Sequence, residues 1–489
     1  MSKFHSNVSR RDFMKALGVV GVGAGTAAAA TPMFHDLDEV IASPIAGKKR
    51  SWWIKDLEIG KPTVEVDWNV LSRYDDGNCL HGVSGRLANF VGADAVNALN
   101  AEREATRMDG IRNGRSGYTL KDDALRYGAS EDWGHVPMSY VLTDIPITVM
   151  GGRVPSYQDL GVPKYVGTPE ENSRMMRAAL RFFGASDVGF TELGSRERAL
   201  VYTRHPNGKK IVFEQVDKAY ERADAYVMPD KPLWIVSVAV QMSKEMFRHG
   251  TGTIRIAANT TRYRLWSIIQ QCSQIFLYEL GYQGIGYPIF HHGVVPAAAD
   301  AILTGMAEAG RNDNYCISPE YGSVCGYYSL ITDLPLAPTP PIDSGIFNFC
   351  HTCRKCAETC PIEAISFESE PSWDIPNSKI VPEQTPIWSA LGKKVFHTDA
   401  PACMSIWYSL SCARCMGNCV FNTNPAAVHN IIKGIIGNTS MFNSVLWQAD
   451  KLFGYGLTPE EEREDWWNLD LPVMGQDSTI GAIHGGYNT

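Results

Sequence analysis

The chain has 489 residues, of which 44% are hydrophobic and 20% charged, and its formal net charge at neutral pH is −8. This composition is typical of a globular protein large enough for several domains, and it excludes a largely disordered chain. Because phosphate binding requires clustered lysine and arginine, the acidic balance and the lack of a basic stripe argue against a nucleic-acid partner.

The first thirty residues have the pattern of an export signal. Arg10 and Arg11 precede a small-residue apolar run from Ala16 to Ala30. Paired arginines before such a run predict a twin-arginine signal peptide over residues 1–30, and the alternative is a short amphipathic helix. The run is too short to span a bilayer. The twin-arginine route exports proteins that have already folded around their cofactors, so we expect a cofactor protein outside the cytoplasm.

An N-terminal region, residues 31–160, shows no pattern that predicts regular elements. A helix is then predicted from Ser173 to Phe183, ending at Gly184. Thr168 is placed to cap it, with Pro169 in the first turn and Glu171 completing a capping box. The methionines of this helix, Met175 and Met176, are expected in the core.

Residues 161–340 alternate between strand and helix patterns. The apolar run Leu233–Val240 predicts a strand, and helices are predicted over Thr261–Leu280, closing at Gly281, and over Ala297–Ala309. Between them lies a loop with several glycines, Gly284 to Gly293, which we expect to bring backbone close to a flat ligand. The alternation predicts an α/β domain with helices packed on a sheet.

The proline-rich segment Thr332–Ile342 predicts a linker or a rigid crossing segment. It leads into a cysteine-rich module, residues 341–425. A C-terminal segment, residues 426–489, follows and begins with a helix predicted over Ala426–Ile436.

Eight of the twelve cysteines fall between Cys350 and Cys419. The first run has the spacing C-x2-C-x2-C-x3-C-P, which is typical of a bacterial ferredoxin with two [4Fe–4S] clusters. Zinc sites and disulfides are the alternatives, and both fit this spacing less well. The other four cysteines, Cys79, Cys272, Cys316 and Cys325, have no motif spacing and are expected to be buried structural thiols.

In two-cluster ferredoxins the fourth cysteine of each run binds the other cluster. On that rule the ligands of cluster 1 are Cys350, Cys353, Cys356 and Cys419. The ligands of cluster 2 are Cys360, Cys403, Cys412 and Cys415. Cys403 replaces the close third cysteine of the second run, where Ser409 stands instead, and we expect it to reach in from a longer loop.

A set of motifs along the whole chain resembles the corrinoid-dependent reductive dehalogenases of organohalide-respiring bacteria. The motifs are Ser9–Lys15, Gly167–Asn172, Phe182–Gly189, Leu280–Tyr282, Gly305–Arg311, Ile317–Gly322, Thr332–Pro338, Pro341–Gly345, Phe453–Gly456 and Trp466–Trp467. Each is short, but their order is specific. The poorest match is about residues 75–160, which we expect to shape the substrate channel.

The resemblance implies an α+β or α/β fold: a nitroreductase-like corrinoid-binding domain, followed by a bacterial ferredoxin-like module with two [4Fe–4S] clusters. It implies replacement of a halogen of an organohalide by hydrogen, with two electrons and a proton entering and halide leaving, as the last step of anaerobic respiration. It also implies a peripheral position on the outer face of the cytoplasmic membrane, a small membrane-anchor protein and a respiratory electron donor.

The resemblance implies roles for two residues. Tyr263 matches the tyrosine that gives a proton to the substrate carbon, and Arg311 matches the basic residue that stabilises the resulting phenolate. Alternatively, Tyr263 is an interface aromatic and Arg311 a helix cap. In the glycine loop, Tyr287, His291 and His292 are candidates for contact with cofactor or substrate. No histidine has Asp two residues before it, so we expect no histidine ligand below the cobalt.

Two other functions fit parts of the pattern. An exported iron–sulfur electron-transfer subunit without its own catalytic site explains the signal and the cysteines, but not the 300 or so residues before them. A corrinoid iron–sulfur reductase acting on a modified nucleoside, like the epoxyqueuosine reductases, conflicts with the export signal and the acidic balance. The substrate stays open between chlorinated ethenes, chlorobenzenes and other haloarenes.

Overall fold

A computed structural model of the chain describes residues 50–468, apart from residues 52, 81–85, 120–137, 143–147, 150–151, 154–155, 160–162, 314, 424–426 and 453. The predicted export signal lies outside the described residues. Within them, no helix is both long enough and apolar enough to cross a membrane.

The strands of the described part are short, except for two near its centre. They are β1 Lys55–Asp56, β2 Thr148–Val149, β3 Gly152–Arg153, β4 Asp187–Glu192, β5 Lys210–Glu214, β6 Tyr220–Glu221, β7 Ala225–Pro229, β8 Trp234–Gln241, β9 Gly284–Ile285, β10 Glu308–Ala309, β11 Cys316–Ile317, β12 Cys325–Thr332 and β13 Ile342–Asp343.

The helices vary from single turns to one of 29 residues. They are α1 Ala88–Val91, α2 Ala93–Asn113, α3 Pro169–Phe182, α4 Lys244–Phe247, α5 Gly252–Leu280, α6 Ala297–Leu303, α7 Ile346–Thr352, α8 Lys355–Glu358, α9 Ala400–Leu410, α10 Arg414–Gly417, α11 Ala427–Asn438 and α12 Asn443–Leu452. Short 3-10 turns lie at Asp76–Asn78, Glu197–Leu200 and Glu460–Asn468.

An antiparallel sheet in the order β4, β8, β12, β9 forms the centre of the fold. β8 and β12 pair over eight positions, from Trp234 opposite Thr332 to Gln241 opposite Cys325. Both strands are buried almost throughout, which agrees with their β-branched and aromatic composition. The predicted strand Leu233–Val240 is confirmed as β8.

Helices cover both faces of this sheet. On one face, α3 and α5 contribute a set of buried apolar side chains: Met176, Leu180, Trp266, Ile269 and Leu277. Val236, Val238 and Val240 of β8 point to this core, whereas Ala239 joins Ala301 of α6 on the opposite face. The expected packing of helices on a sheet is confirmed, and the fold is a mixture of helices and sheets.

Helix α3 follows its sequence signals closely. The Thr168 side chain accepts from the Glu171 N–H, and the Glu171 carboxylate accepts from the Thr168 N–H, so both halves of the capping box form. Met176 is fully buried, and Met175 packs against the same core. Gly281 ends α5 in the left-handed conformation, also as predicted.

Two predicted boundaries are wrong. Helix α5 begins at Gly252 rather than Thr261. Its first turns bury Ile254, Ala257 and Ala258, and they have little of the amphipathic pattern from which a helix is predicted. Helix α6 ends at Leu303 instead of continuing to Ala309. The chain reverses at Gly305, whose φ is +67°, and β10 then begins.

Helix α2 was not predicted, although its 21 residues make it the second longest helix described. Its sequence is rich in alanine and charged residues, so no apolar face stands out. Helix α9 of the cysteine module packs against it, with Val96 and Met404 in one shared core. Its stability therefore depends on a tertiary contact that the local pattern does not reveal.

The proline-rich segment is a rigid crossing segment rather than a free linker. Leu334 and Leu336 are buried in the core, and the carbonyls of Pro335 and Ala337 accept hydrogen bonds from the side chains of Asn172 and Ser173 on α3. The segment then enters β13, which pairs with β1 near the start of the described chain.

Candidate active site and cysteine centres

Tyr263 lies in the middle of α5, partly buried against the larger core. Three aromatic rings surround its own at centroid distances of 5.3 Å for Phe290, 6.2 Å for Tyr328 and 6.3 Å for His291. Each contact is edge to face, the arrangement that aromatic quadrupoles prefer. The phenol therefore stands in an aromatic setting that limits its contact with water.

The hydroxyl of Tyr263 is bonded to a cation, and that cation is Arg262. Its Nη2 donates to the Tyr263 hydroxyl at 2.7 Å, and the guanidinium carbon lies 4.5 Å from the centroid of the Tyr263 ring. Burial acts to lower the pKa of Arg262, but the phenols of Tyr263 and Tyr328 outweigh it and raise that pKa above its usual value. The guanidinium is therefore charged and placed to stabilise a phenolate.

Arg311 has hydrogen-bond partners other than Tyr263 in the structure, and its predicted support of the phenol stays a prediction. Arg311 is fully buried, and all three of its nitrogens donate to backbone carbonyls of the cysteine module. The acceptors are the carbonyls of Cys350, His351, Cys353, Ser366 and Glu368. Because its donors are bound there, the guanidinium holds the backbone of the cysteine module.

The glycines of the loop between α5 and α6 lie against protein side chains, not against open space. A Cβ on Gly286 would meet the Gln270 side chain at 2.4 Å, and one on Gly293 would meet the Tyr287 ring at 2.2 Å. The Cβ side of these two glycines is therefore filled by protein, and the expected approach of the loop backbone to a flat ligand stays a prediction. Tyr287 itself is a core residue, 4% exposed. Its packing favours a structural role over direct contact with a bound cofactor.

The two histidines of the loop differ in their surroundings. His292 is buried, and its Nδ1 lies 3.0 Å from the Asp76 carboxylate, which also neighbours Arg86. His291 lies between His292 and Tyr263, with ring centroids 4.6 and 6.3 Å away. Burial lowers the pKa of His291 to about 3, so its ring is neutral at physiological pH.

Several buried polar atoms around Tyr263 have no hydrogen-bond partner within the described part of the chain. They are Nδ1 of His291, Nε2 of His292 and the hydroxyl of Tyr328. Because buried polar groups are normally satisfied, these atoms fit a site that a polar ligand completes.

The structure brings four cysteines of the first predicted set together. Cys350, Cys353, Cys356 and Cys419 line one small cavity, together with Arg311 and Lys355 and the apolar side chains of Ile317, Phe349 and Phe421. Burial raises the pKa of the Cys356 thiol well above its usual value, and the neighbouring cysteines raise it further. Four thiolates in such a cavity therefore need the positive charge of a metal centre.

The second set is also brought together. Burial raises the pKa of Cys415 well above its usual value, and Cys403, Cys412 and Cys360 add to the shift as near neighbours. Cys403 does not reach in from a loop as expected. It lies in the first turn of α9, which Asp399 caps by accepting from the Ala402 N–H.

The cysteine sets have the donor chemistry that an iron–sulfur cubane requires. Among the described residues, no three His, Cys, Asp or Glu side chains are close enough to hold one metal ion. A cubane binds its four cysteines through four different iron atoms, so the sulfurs stand farther apart. Four cysteines facing one cavity in an apolar setting have the chemistry of such a site.

The remaining four cysteines were expected to be buried, and two are. Cys316 and Cys325 are fully buried near the central sheet, whereas Cys79 and Cys272 are half-buried. Burial raises the pKa of Cys325 to about 12, so this thiol is unreactive and structural.

Arg262 was missed by the sequence analysis although it adjoins Tyr263. Neighbouring residues on a helix point in directions about 100° apart, so adjacency does not predict contact. Glu308 was missed as well. Its buried carboxylate accepts from the N–H groups of Ser344, Ile346 and Phe347, and no local pattern marks a contact across so many residues.

Comparison with known proteins identifies the family of the chain. A family model described as reductive dehalogenase subunit matches residues 49–210 and 207–336. The chain is 31% identical over 540 residues to a chloroethene reductive dehalogenase of Dehalococcoides mccartyi, covering 98% of this chain and 99% of that one. It is 28% identical over 579 residues to a trichloroethene reductive dehalogenase of the same species, with the same coverage.

Solved structures share the fold. A reductive dehalogenase structure reported with a mechanism for B12-dependent dehalogenation superposes with a TM-score of 0.57 at 18% identity, covering 88% of this chain and 55% of that one. A catabolic reductive dehalogenase in complex with 3-bromo-4-hydroxybenzoic acid superposes with a TM-score of 0.56. The chain spans about half the length of these solved proteins. From the family model and the identity over nearly its whole length, the chain belongs to the reductive dehalogenase family, whose enzymes act on carbon–halogen bonds.

Proposed function

We propose that this protein replaces a halogen of a small organohalide by hydrogen, using a corrinoid supplied with electrons by two [4Fe–4S] clusters. The observation that carries the proposal is the Tyr263 phenol held by the charged Arg262, in a member of this family. Two electrons and one proton enter for each halide released. The chloroethene and trichloroethene relatives favour a chlorinated ethene as substrate, with a chlorinated arene as the second candidate.

The residues of the chain supply the proton and its surroundings. Tyr263 gives its hydroxyl proton to the substrate carbon as negative charge develops there, and Arg262 stabilises the phenolate left behind. Phe290 and Tyr328 exclude water from one side of the phenol. A corrinoid, when bound, supplies the low-potential centre for carbon–halogen cleavage, and the unpaired atoms of His291, His292 and Tyr328 are the polar groups available to hold a ligand.

The two cysteine sets are proposed as the electron path into this site. Cys350, Cys353, Cys356 and Cys419 would hold one cluster, and Cys360, Cys403, Cys412 and Cys415 the other. We further propose export by the twin-arginine signal of residues 1–30 and a peripheral position on the outer face of the cytoplasmic membrane. A small membrane-anchor protein and a respiratory electron donor would be its partners.

The test is to reconstitute the protein with corrinoid and clusters and to measure cobalt, iron and halide release under a strong reductant. The substrate panel should contain chlorinated ethenes and chlorinated arenes. We expect cobalt in a one-to-one ratio, iron for two clusters, and halide from at least one compound. Iron without cobalt or halide would instead support an electron-transfer subunit. A protein that binds neither iron nor cobalt would overturn the whole proposal.

A further inference from the structure

Arg311 connects the domain of the central sheet to the first cysteine run. It follows β10 directly, and its guanidinium bonds five carbonyls that belong to residues 350–368. Four of these contacts are 2.7 Å: from Nε to the Cys353 carbonyl, from Nη2 to the Cys350 carbonyl, and from Nη1 to the carbonyls of Ser366 and Glu368. The guanidinium carbon also lies 4.2 Å from the centroid of the Phe396 ring. Such a fully engaged, buried arginine is fixed in position.

Two of these carbonyls, those of Cys350 and His351, are among the ones that α7 leaves without partners. The last four carbonyls of a helix have no intrahelical donor, and α7 ends at Thr352. The Phe349 carbonyl accepts from the Cys353 N–H, whereas the carbonyls of Cys350 and His351 accept from Arg311. The cation therefore caps the negative end of the helix dipole, where positive charge is stabilising.

The other end of α7 is held by the same segment. Glu308, three residues before Arg311, accepts from the N–H groups of Ser344, Ile346 and Phe347, with a closest distance of 2.7 Å. A helix of seven residues is about 10 Å long, which three residues of extended chain can span. One short segment thus places a negative charge at the start of the helix and a positive charge at its end.

The position of Arg311 has consequences for the ligands on this helix. In a trans peptide the N–H points away from the C=O. By bonding the carbonyls of residues 350, 351 and 353, Arg311 fixes the orientation of the peptide units that carry those carbonyls. Cys350, Cys353 and Cys356 line the cavity that Arg311 also lines, so its charge acts on whatever these sulfurs bind. Reduction potentials of iron–sulfur clusters depend on nearby charge and on N–H groups directed at sulfur.

We propose that Arg311 is a positioning residue that sets the reduction potential of the cluster bound by Cys350, Cys353, Cys356 and Cys419. Its positive charge favours the reduced, more negative state of that cluster, and its hydrogen bonds fix the loop that binds it. This inference rests on the proposed function, because it requires the clusters to be present. It differs from the catalytic role expected for Arg311 from the sequence.

The test compares Arg311→Gln and Arg311→Lys with the wild-type protein after reconstitution. Iron is counted, and the midpoint potentials of both clusters are measured by titration followed by electron paramagnetic resonance. In Arg311→Gln we expect one of the two midpoints to fall and the other to stay constant. In Arg311→Lys, which keeps the charge but not the planar set of donors, we expect the fall to be smaller.

Two further variants separate electrostatics from folding. Glu308→Gln loosens the same helix but removes a negative charge, so it should not lower either midpoint. Arg174→Gln removes an exposed arginine of α3 and should change nothing. If the wild type binds no clusters, the proposed function fails. If the wild type binds both clusters, but Arg311→Lys and Arg311→Gln have the same two midpoint potentials as the wild type, the proposed role of Arg311 is wrong. A variant that loses only the iron of one cluster supports the positioning role.

Discussion

At the scale of single residues, the Arg262–Tyr263 contact combines two interactions that act in the same direction. The hydrogen bond favours the oxygen as a negative charge, and the cation over the ring face is attracted to the ring quadrupole. A phenol with this support gives up a proton without leaving an uncompensated charge in a half-buried site.

Tyr263→Phe should abolish halide release while leaving the iron and cobalt contents unchanged. Phenylalanine keeps the aromatic packing against Phe290 and Tyr328 but has no proton to give. General acid catalysis contributes about 10²–10⁴-fold to rate, so a loss of this size is expected in kcat. Retention of wild-type turnover would mean that another group protonates the substrate.

Arg262→Gln should lower halide release by about 10–100-fold, the size expected for loss of one charge-assisted hydrogen bond. The effect should fall on kcat rather than KM, because the phenolate exists only after proton transfer. Arg264→Gln, two positions along the same helix, is the matched control and should retain activity. Equal losses in both variants would point to damage of α5 instead.

Asp300 gives a prediction about stability and pH. It is fully buried with a hydrogen bond from the Ser329 hydroxyl, and burial raises its pKa from 3.8 to about 7. A raised carboxyl pKa means that the folded state binds the proton more tightly than the unfolded state. Stability from this group is therefore present at low pH and is lost as pH rises from about 4 through 7.

Asp300→Asn should remove that pH dependence. Asparagine keeps an oxygen for Ser329 and carries no charge, so the apparent Tm should exceed that of the wild type at pH 8. The difference in Tm should shrink at pH 5.5. The corresponding difference in the free energy of unfolding has an upper limit of about 4 kcal/mol. Thermal melts across this pH range test it, and parallel curves for the two proteins would contradict it.

At the scale of elements, α5 is the helix on which the site depends. Its Gln270 holds the glycine loop through Oε1, which accepts from the Tyr287 N–H at 2.7 Å, and through Nε2, which donates to the Tyr287 carbonyl at 3.0 Å. The same helix carries Arg255, which donates to the Ser411 carbonyl beside Cys412. One rigid element thus connects the loop, the phenol and the second cysteine run.

Gln270→Leu should destabilise the protein by about 1–3 kcal/mol, because it leaves the buried N–H and C=O of Tyr287 without partners. It should also weaken turnover, since the loop carries His291 beside Tyr263. Gln271→Leu, on the next and less buried position, is the control. Denaturant unfolding of both variants measures the difference, and similar stabilities would show that the loop is held by other contacts.

At the scale of the whole molecule, two cores differ in their content of proposed cluster ligands. The core around Phe349 and Phe396 contains Cys350 and Cys353, whereas the core between the sheet and α5 contains no proposed ligand. A group that binds only the folded state stabilises what it contacts. The stability of the first core should therefore depend on bound iron more than the stability of the second.

Removal of the clusters should raise amide hydrogen exchange over α7, α8 and α10 more than over β8 and β12. Exchange followed by mass spectrometry on the loaded and cluster-free protein gives the comparison. The central sheet acts as the internal control, because its hydrogen bonds and apolar contacts do not involve the cysteine sets. Equal loss of protection in both regions would indicate a single cooperative unit.

The features that can be read from the sequence are local ones. Helix α3 with its Thr168–Glu171 capping box, strand β8 and the left-handed Gly281 all follow from residues within a few positions of each other. The crossover rule also named the two sets of cysteines that the structure brings together, although their ligation stays a prediction. Such signals are readable because their physical causes lie within one turn or one strand.

Tertiary packing set which partners meet across the chain. It gave Tyr263 the cation Arg262, bound Arg311 to the first cysteine run, placed Cys403 in α9, and stabilised α2 against that helix. Each outcome depends on packing between segments far apart in sequence, or on which way a long side chain turns. The free-energy differences between such alternative arrangements are small sums over many contacts. A local sequence pattern does not contain those contacts.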